Sequence, residues 1–280
     1  MDNTLPKVTV GIALYNHAAY IEQCLASVVE QTYKNIEIIV IDDGSNDDSY
    51  EVAKQFLERQ QKNPAFVIKT RKNQGMCDTL NEIARKAQGK YISFVGSDDY
   101  WMENKIEDQV EFLENHPELV LVHSNSIKVD SQGNEIKKID YSKKINSGSV
   151  YEAIIRHTGG INTPSHLYRT SIYEKIGYYD PAFSFEDTDF WLRLSKKFQV
   201  GFINQYHTYY RWHGENLSNA KNAFKFYYDE LIQIFEKNIQ ENDLRRYAIR
   251  KVHKKCVEKS LKTGKVIEAV RYIGKYIQQK

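Results

Sequence analysis

The sequence predicts an α/β protein built on a Rossmann-like, doubly wound mixed sheet with a helical extension at its C-terminal end. Three observations carry that expectation. Short β-rich runs alternate with helical patterns through residues 1–100, the mark of strands joined by crossover helices. One of those runs, "IEIIVIDD", is too apolar for a strand with one wet face, so both of its faces are buried, as in a parallel sheet. From about Ala220 onward only helical spacing remains.

Val8 to Leu14 is the first strand. It is followed by "YNHAAYIEQCLASVVEQ", where Tyr20, Ile21, Cys24, Leu25, Val28 and Val29 recur at helical spacing. "IEIIVIDD" is the second strand, with a helix near Ser49 to Lys62. "AFVIKT" is the third strand, "MCDTLNEIARKAQ" the third helix with Gly89 as its stop signal, and "YISFV" the fourth strand. Crossovers between parallel strands are right-handed, so the carboxyl ends of these strands share one edge, where such sheets bind ligands. After Asp99 the pattern is mixed. "VLVHSNSIKVDSQGNEIKKI" reads as two strands joined through Asp130 to Asn134, and "HLYRT" and "TYYRW" as two more. Three helical patterns follow: Leu231, Ile234 and Phe235; Ile249, Val252 and Cys256; then Val266, Val270, Ile273 and Ile277 after a break at Thr263 and Gly264.

Composition bounds the function classes. The chain has 280 residues, 41% of them hydrophobic, enough to bury a sizeable core. No run approaches the roughly eighteen apolar residues that cross a bilayer, and "MDNTLPKV" lacks the basic-then-apolar order of a signal peptide, so the expected location is the cytoplasm. Cys24, Cys77 and Cys256 are odd in number and in no metal-ligand spacing; each reads as a small core residue. Net charge is +2, but residues 245–280 hold twelve Lys or Arg against Glu258 and Glu268, a net +10 that leaves −8 on the rest. A basic tail on an acidic body suits an anionic membrane surface, and its amphipathic spacing equally suits a homo-oligomer contact or a plain solvated face. The tail reads as a segment removable without harm to the fold.

Carboxylates collect at the shared strand edge. The first strand ends at Leu14, Tyr15 and Asn16, the second at Asp42 and Asp43, and the fourth at Ser97, Asp98 and Asp99. Adjacent like charges in a crevice repel, and the usual remedy is a hard cation with oxygen ligands, which points to Mg2+ or Mn2+ at Asp98 and Asp99. Each motif by itself also fits an ordinary turn or helix cap. The first βα turn, "ALYNHAAY", has neither a G-x-G-x-x-G run nor a Walker lysine, which disfavours a dinucleotide or a P-loop nucleotide.

Taken in order, "PKVTVGIALYNHAAYIEQCLASVVEQTYKNIEIIVIDDGSNDDS", "NQGMCDTLNEIARKAQGKYISFVGSDDYW" and "FEDTDFWLRL" resemble the family 2 glycosyltransferases, over residues 6–215. That resemblance implies the A-type nucleotide-sugar fold and an inverting transfer. It divides the chain into a nucleotide-sugar-binding half (1–100), an acceptor-binding half (101–220) and a basic amphipathic helical extension (221–280). It implies that Asp43 accepts a hydrogen bond from the base ring, that Ala13, Tyr15 and Asn16 sit beside the nucleoside, and that Asp98 and Asp99 form the metal and diphosphate motif, Asp99 coordinating directly. Gly96 departs from the pattern, since many members carry a further aspartate there. "YRWHGENLS" makes His213 a candidate metal ligand, with a structural histidine as the other reading.

In "FEDTDFWLRL" the resemblance makes Asp187 the base that takes the acceptor proton, with Glu186 beside it and Asp189 unassigned; an exposed acidic helix start is the plain alternative. Phe190 and Trp191 suit either a sugar-stacking platform or packing. The implied partners are a nucleotide-diphosphate sugar, with UDP favoured, and a glycan or lipid-linked saccharide, and no nucleic acid. The setting is bacterial surface polysaccharide synthesis, at or near the inner membrane face. The Q-x-x-R-W motif and flanking membrane helices of processive synthases are not seen, so one sugar per encounter is expected. A nucleotidyltransferase and a non-catalytic sugar-binding module are the competing classes. The first wants a glycine- and lysine-rich loop that "ALYNHAAY" does not supply, and the second is opposed by the joint presence of Asp43, Asp98, Asp99 and Asp187.

Overall fold

The computed structural model describes residues 5–60, 64–184, 186–214, 216, 223–262, 271–275 and 277. Among them one nine-stranded sheet runs in the order Ala65–Thr70, Ile36–Asp42, Val8–Leu14, Tyr91–Phe94, Leu167–Arg169, Leu121–Val129, Val200–Arg211 and Tyr100–Trp101, with Glu135–Ile139 paired to Leu121–Val129. Four strands are parallel: β1 (Val8–Leu14), β2 (Ile36–Asp42), β3 (Ala65–Thr70) and β4 (Tyr91–Phe94). Helices α1 (Ile21–Val29), α2 (Ser49–Arg59) and α3 (Met76–Lys86) connect them.

Alternation along β2 shows why these residues make a doubly covered sheet. Ile36, Ile38 and Val40 join the apolar cluster that also takes Leu25 of α1 and Leu57 of α2, while Ile39 and Ile41 face the cluster containing Leu80 and Ile83 of α3. Burying each such side chain contributes about 1.5–3 kcal/mol, so a slip of one residue would cost the strand both faces. Gly89 is not the cap of α3, which ends at Lys86. It is a close approach instead, where a Cβ would stand 2.5 Å from the Thr9 amide nitrogen and 2.6 Å from the Tyr91 carbonyl oxygen.

Beyond β4 the sheet becomes mixed. β5 (Tyr100–Trp101) and helix α4 (Lys105–Asn115) lead to the long β6 (Leu121–Val129) and its hairpin partner β7 (Glu135–Ile139). Helix α5 (Tyr151–Arg156) and a 3-10 turn (Thr163–Ser165) precede β8 (Leu167–Arg169), antiparallel to both β4 and β6. Helices α6 (Ile172–Ile176) and α7 (Glu186–Ser195) then feed β9 (Val200–Arg211). "TYYRW" foretells only the end of β9. Its first half pairs with β6 across two register shifts, which break the alternation that marks a strand in sequence.

The extension is docked. α8 (Ala223–Asn238) and α9 (Asn242–Lys262) form a third apolar cluster in which Ala248, Ile249, Val252 and Cys256 meet Leu231, Ile234 and Phe235, together with Ile155, Phe183 and Leu192 of the preceding α/β region. Removing residues 245–280 would uncover that cluster, so the expectation of a freely removable tail does not hold. Val266 and Val270 of the last helical pattern lie outside the described residues. All three cysteines are buried thiols, as expected.

Candidate active site

A cavity of about 580 Å³ opens at the carboxyl ends of β1 and β4, where the topology places it. Ala13, Tyr15, Asn16, Asp98, Asp99, Glu186 and Asp187 line it, against an apolar wall that includes Met76, Leu80, Phe94 and Tyr179. The β1–α1 loop is sewn to the β2–α2 loop. Asn16, in the left-handed region at φ 53°, accepts from the Asn46 amide at 2.8 Å, and its own amide donates to Ser45 Oγ at 2.9 Å. Asparagine tolerates that backbone better than a β-branched residue would.

Asp43 does not line the cavity. Its carboxylate accepts the Gln74 and Gly75 amides at 2.9 and 2.8 Å and is ion-paired with Arg71 at 2.7 Å, with both side chains almost wholly buried. A carboxylate has about four acceptor positions, so these contacts leave room for one more donor. Arg71 escapes a reading of the sequence because it lies on the β3–α3 connection, where no motif marks it. The neighbouring Asp42 is spent on its own turn, accepting from Ser45 Oγ and from Thr70 Oγ1 at 2.5 and 2.7 Å.

Asp98 and Asp99 stand together after β4. Asp99 is 6% exposed and accepts the Arg211 amide at 2.8 Å. Burial, and then the Asp98 charge, push its carboxyl well above the usual carboxylate range. Asp98 Oδ2 faces His213 Nε2 at 3.0 Å and Asn216 Nδ2 at 3.2 Å. The Arg211 guanidinium forms no ion pair with either carboxylate, though its charge acts on Asp99 in the lowering direction: it donates to the carbonyls of Asp98 and Ser131 at 2.8 and 2.9 Å and lies over the rings of Tyr20 and Tyr100. A crowded acidic pair with a nearby imidazole, and with no ammonium or guanidinium ion-paired to it among the described residues, fits a divalent cation. Asp98 and His213 would hold it, with Asp99 beside them, and its charge would lower the cost of ionising Asp99.

Asp187, also lining the cavity, sits in the first turn of α7. Thr163 Oγ1 donates to its Oδ2 at 3.0 Å while accepting from Trp191 Nε1 at 3.1 Å, so Trp191 orients the threonine that orients the carboxylate. Phe190 is fully buried against Tyr168, Tyr173 and Tyr179 and is a packing residue, not a sugar platform. Asp189, also fully buried, is taken by Arg193, Lys237 and Asn238 at 2.8, 2.9 and 2.9 Å; it ties α7 to α8.

Glu186 is pushed up to about 8 by burial, then by the Asp187 charge, then by Glu230, so at neutral pH it carries a proton. The folded state thus holds a proton that the unfolded chain releases near the ordinary value of 4.5. The associated stability is fully present below that pH and is lost as pH rises toward 8. Glu186→Gln should therefore gain melting temperature relative to the parent between those two values and level off above. A difference that stays flat across this window would contradict the assignment.

The fold is that of the A-type glycosyltransferases. It superposes on S. aureus TarS 1–349 in complex with UDP-GlcNAc with a TM-score of 0.74 at 19% identity, over 98% of this chain and 81% of that one. A mannosyltransferase from Pyrobaculum calidifontis, in complex with GDP-Man and Mn2+, gives 0.62 at 16% identity over 99% and 85%. The chain belongs to glycosyl transferase family 2, whose family model matches residues 9–177. An Escherichia coli protein named UDP-Glc:alpha-D-GlcNAc-diphosphoundecaprenol beta-1,3-glucosyltransferase WfaP is 31% identical over 88% of this chain and 89% of its own. An uncharacterized glycosyltransferase of Haemophilus influenzae is 39% identical over 50% of this chain and 55% of its own. This chain thus spans about half the length of that relative, and roughly a third of a matching one from Rickettsia felis, 32%.

Proposed function

We propose that this protein is a metal-dependent inverting glycosyltransferase that moves one sugar from a nucleotide-diphosphate sugar, a UDP-sugar by preference, to a hydroxyl of a glycan or lipid-linked saccharide. The observation that carries this reading is that one cavity is lined by Asp98 and Asp99, which follow β4, and by Asp187, from the first turn of α7. In this reading residues 1–100 hold the donor and 101–220 the acceptor. Asp43, with Arg71 behind it, takes the N–H of the base ring, and Ala13, Tyr15 and Asn16 flank the nucleoside. Asp98 and His213 would hold a Mg2+ or Mn2+, which would supply positive charge to offset that of the departing diphosphate. Asp187, oriented by Thr163, takes the proton from the acceptor hydroxyl, which attacks the face of the anomeric carbon opposite the diphosphate and inverts it. Protonated Glu186 keeps a second negative charge away from that base.

The similarity to WfaP, whose name specifies an undecaprenol-linked acceptor, supports a lipid-linked substrate and bacterial surface polysaccharide synthesis at the cytoplasmic face of the membrane. Among the described residues no helix is long and apolar enough to cross a membrane. A nucleotidyltransferase lacks its triphosphate loop here, and a bare sugar-binding module would have no use for a general base held by Thr163. A screen of nucleotide sugars by thermal shift, with Mn2+ and with a chelator, tests the proposal. A donor at a hundred times its Kd adds about 2.7 kcal/mol of stability. No metal-dependent shift with any donor would overturn it.

Because α9 is needed for packing, its membrane role is best tested by charge and not by truncation. Arg246, Lys254 and Lys262 are exposed. Reversing all three to glutamate should weaken binding to anionic vesicles, at about 1 kcal/mol per residue near the surface as the upper scale. Unchanged vesicle binding would leave α9 as a homo-oligomer contact or a solvated face.

A further inference from the structure

We propose that His17 is a third protein ligand of the cation held at Asp98 and His213, and that two imidazoles in this shell make the site prefer a first-row transition dication such as Mn2+ over Mg2+. The inference rests on the metal-dependent reading above. It begins with a coincidence of three chain segments. One ring nitrogen of His17, one of His213 and a carboxylate oxygen of Asp98 all lie within 4.8 Å of one another, the sole cluster of its kind among the described residues. Donor atoms about 2.1 Å from one ion lie about 3–4.2 Å apart, so the set is close to the separations a shared cation requires.

His17 is also held in place. Its amide donates to Ser49 Oγ at 2.8 Å, and its Nδ1 lies 2.7 Å from Ser97 Oγ, in the residue next to Asp98. Its ring meets His213 edge-on, with centroids 5.6 Å apart and planes at 89°, while Tyr20 stacks on His213 at 5.1 Å. Neither imidazole has to be recruited from solvent, so little ordering entropy opposes cation binding.

Position 96 gives the arrangement a chemical meaning. A Cβ on Gly96 would stand 2.8 Å from Asp98 Oδ1 and 3.0 Å from Asp99 Oδ2, so a carboxylate there would crowd two others. Position 96 offers no side-chain oxygen, and a ring nitrogen from the β1–α1 loop stands near Asp98 instead. Mg2+ favours oxygen ligands and gives up water reluctantly, whereas imidazole suits transition metals, so exchanging an oxygen for a nitrogen tilts selectivity away from Mg2+.

The test uses the full chain with Mn2+ and UDP, observed by electron spin-echo modulation on protein labelled with 15N-histidine. Two coupled imidazole nitrogens are expected in the parent and one in His17→Phe, which keeps an aromatic ring in the packed position. Calorimetry should show Mn2+ affinity falling by at least about tenfold in that variant, the lower end of what loss of even an outer partner costs. Mg2+ affinity should fall less, so that the Mn2+ to Mg2+ ratio shrinks. His17→Asn, checked for an unchanged melting temperature, guards against a folding artefact. One coupled nitrogen in the parent, or identical modulation in parent and variants, would overturn the assignment of His17 while leaving the metal itself in place. No Mn2+ bound in the parent would overturn the metal reading and this inference together.

Discussion

Asp99→Ala is expected to abolish transfer and to remove the metal-dependent part of donor affinity. The carboxylate is buried, its Oδ1 accepts the Arg211 amide at 2.8 Å, and the neighbouring Asp98 charge raises its proton affinity. Without a cation that crowding is unfavourable, and with one it becomes the binding energy for the diphosphate. Alanine also strands the Arg211 amide, which by itself costs about 1–3 kcal/mol of stability. Asp99→Asn separates the two effects, because the amide oxygen still accepts that hydrogen bond but carries no charge. Calorimetry of UDP binding with and without Mn2+, run beside transfer assays, should find both variants equally inactive. Transfer retained by Asp99→Asn would make Asp99 a structural residue.

Asp187→Asn should lower transfer by about 10²–10⁴, the usual contribution of a positioned general base. Asparagine keeps the oxygen that accepts from Thr163 Oγ1, so the local geometry survives while the proton acceptor does not. UDP affinity should barely change, since the carboxylates assigned to the nucleotide and diphosphate lie on other elements. Loss of nucleotide binding would move Asp187 to the donor side. Near-normal transfer would pass the role of base to Glu186, at odds with the proton that Glu186 holds at neutral pH. Asp189 is not a candidate, because it is buried among Arg193, Lys237 and Asn238.

The elements near the donor edge are legible in the sequence because their causes are local. β2 is apolar on both faces, α3 carries Leu80, Ile83 and Ala84 on one stripe, and Asp98 and Asp99 follow β4 directly. Each of these facts is written within one turn of helix or one strand repeat. Hence the succession of strands and helices, the edge that collects carboxylates and the motif-bearing residues of the site can all be read from the order of amino acids.

What the order of amino acids does not decide are the meetings between distant segments. Arg211 lies 112 residues from the Asp99 that its amide holds, and His213 lies 115 residues from Asp98. Those contacts exist because β4, β8, β6 and β9 lie side by side with two antiparallel junctions, an arrangement that hydrophobic period does not encode. The same holds for Asp43, whose carboxylate meets the start of α3 and Arg71. It holds too for α9, whose spacing suits a free surface as well as the packing of Val252 and Cys256 with Leu231 and Phe235 that the fold imposes. The sequence by itself determined which residues could carry charge, fill a core or bind a cation, since those properties belong to side chains and their nearest neighbours. Tertiary structure decided which of them share a site, because that depends on loop closures and sheet order settled by the packing of the whole chain.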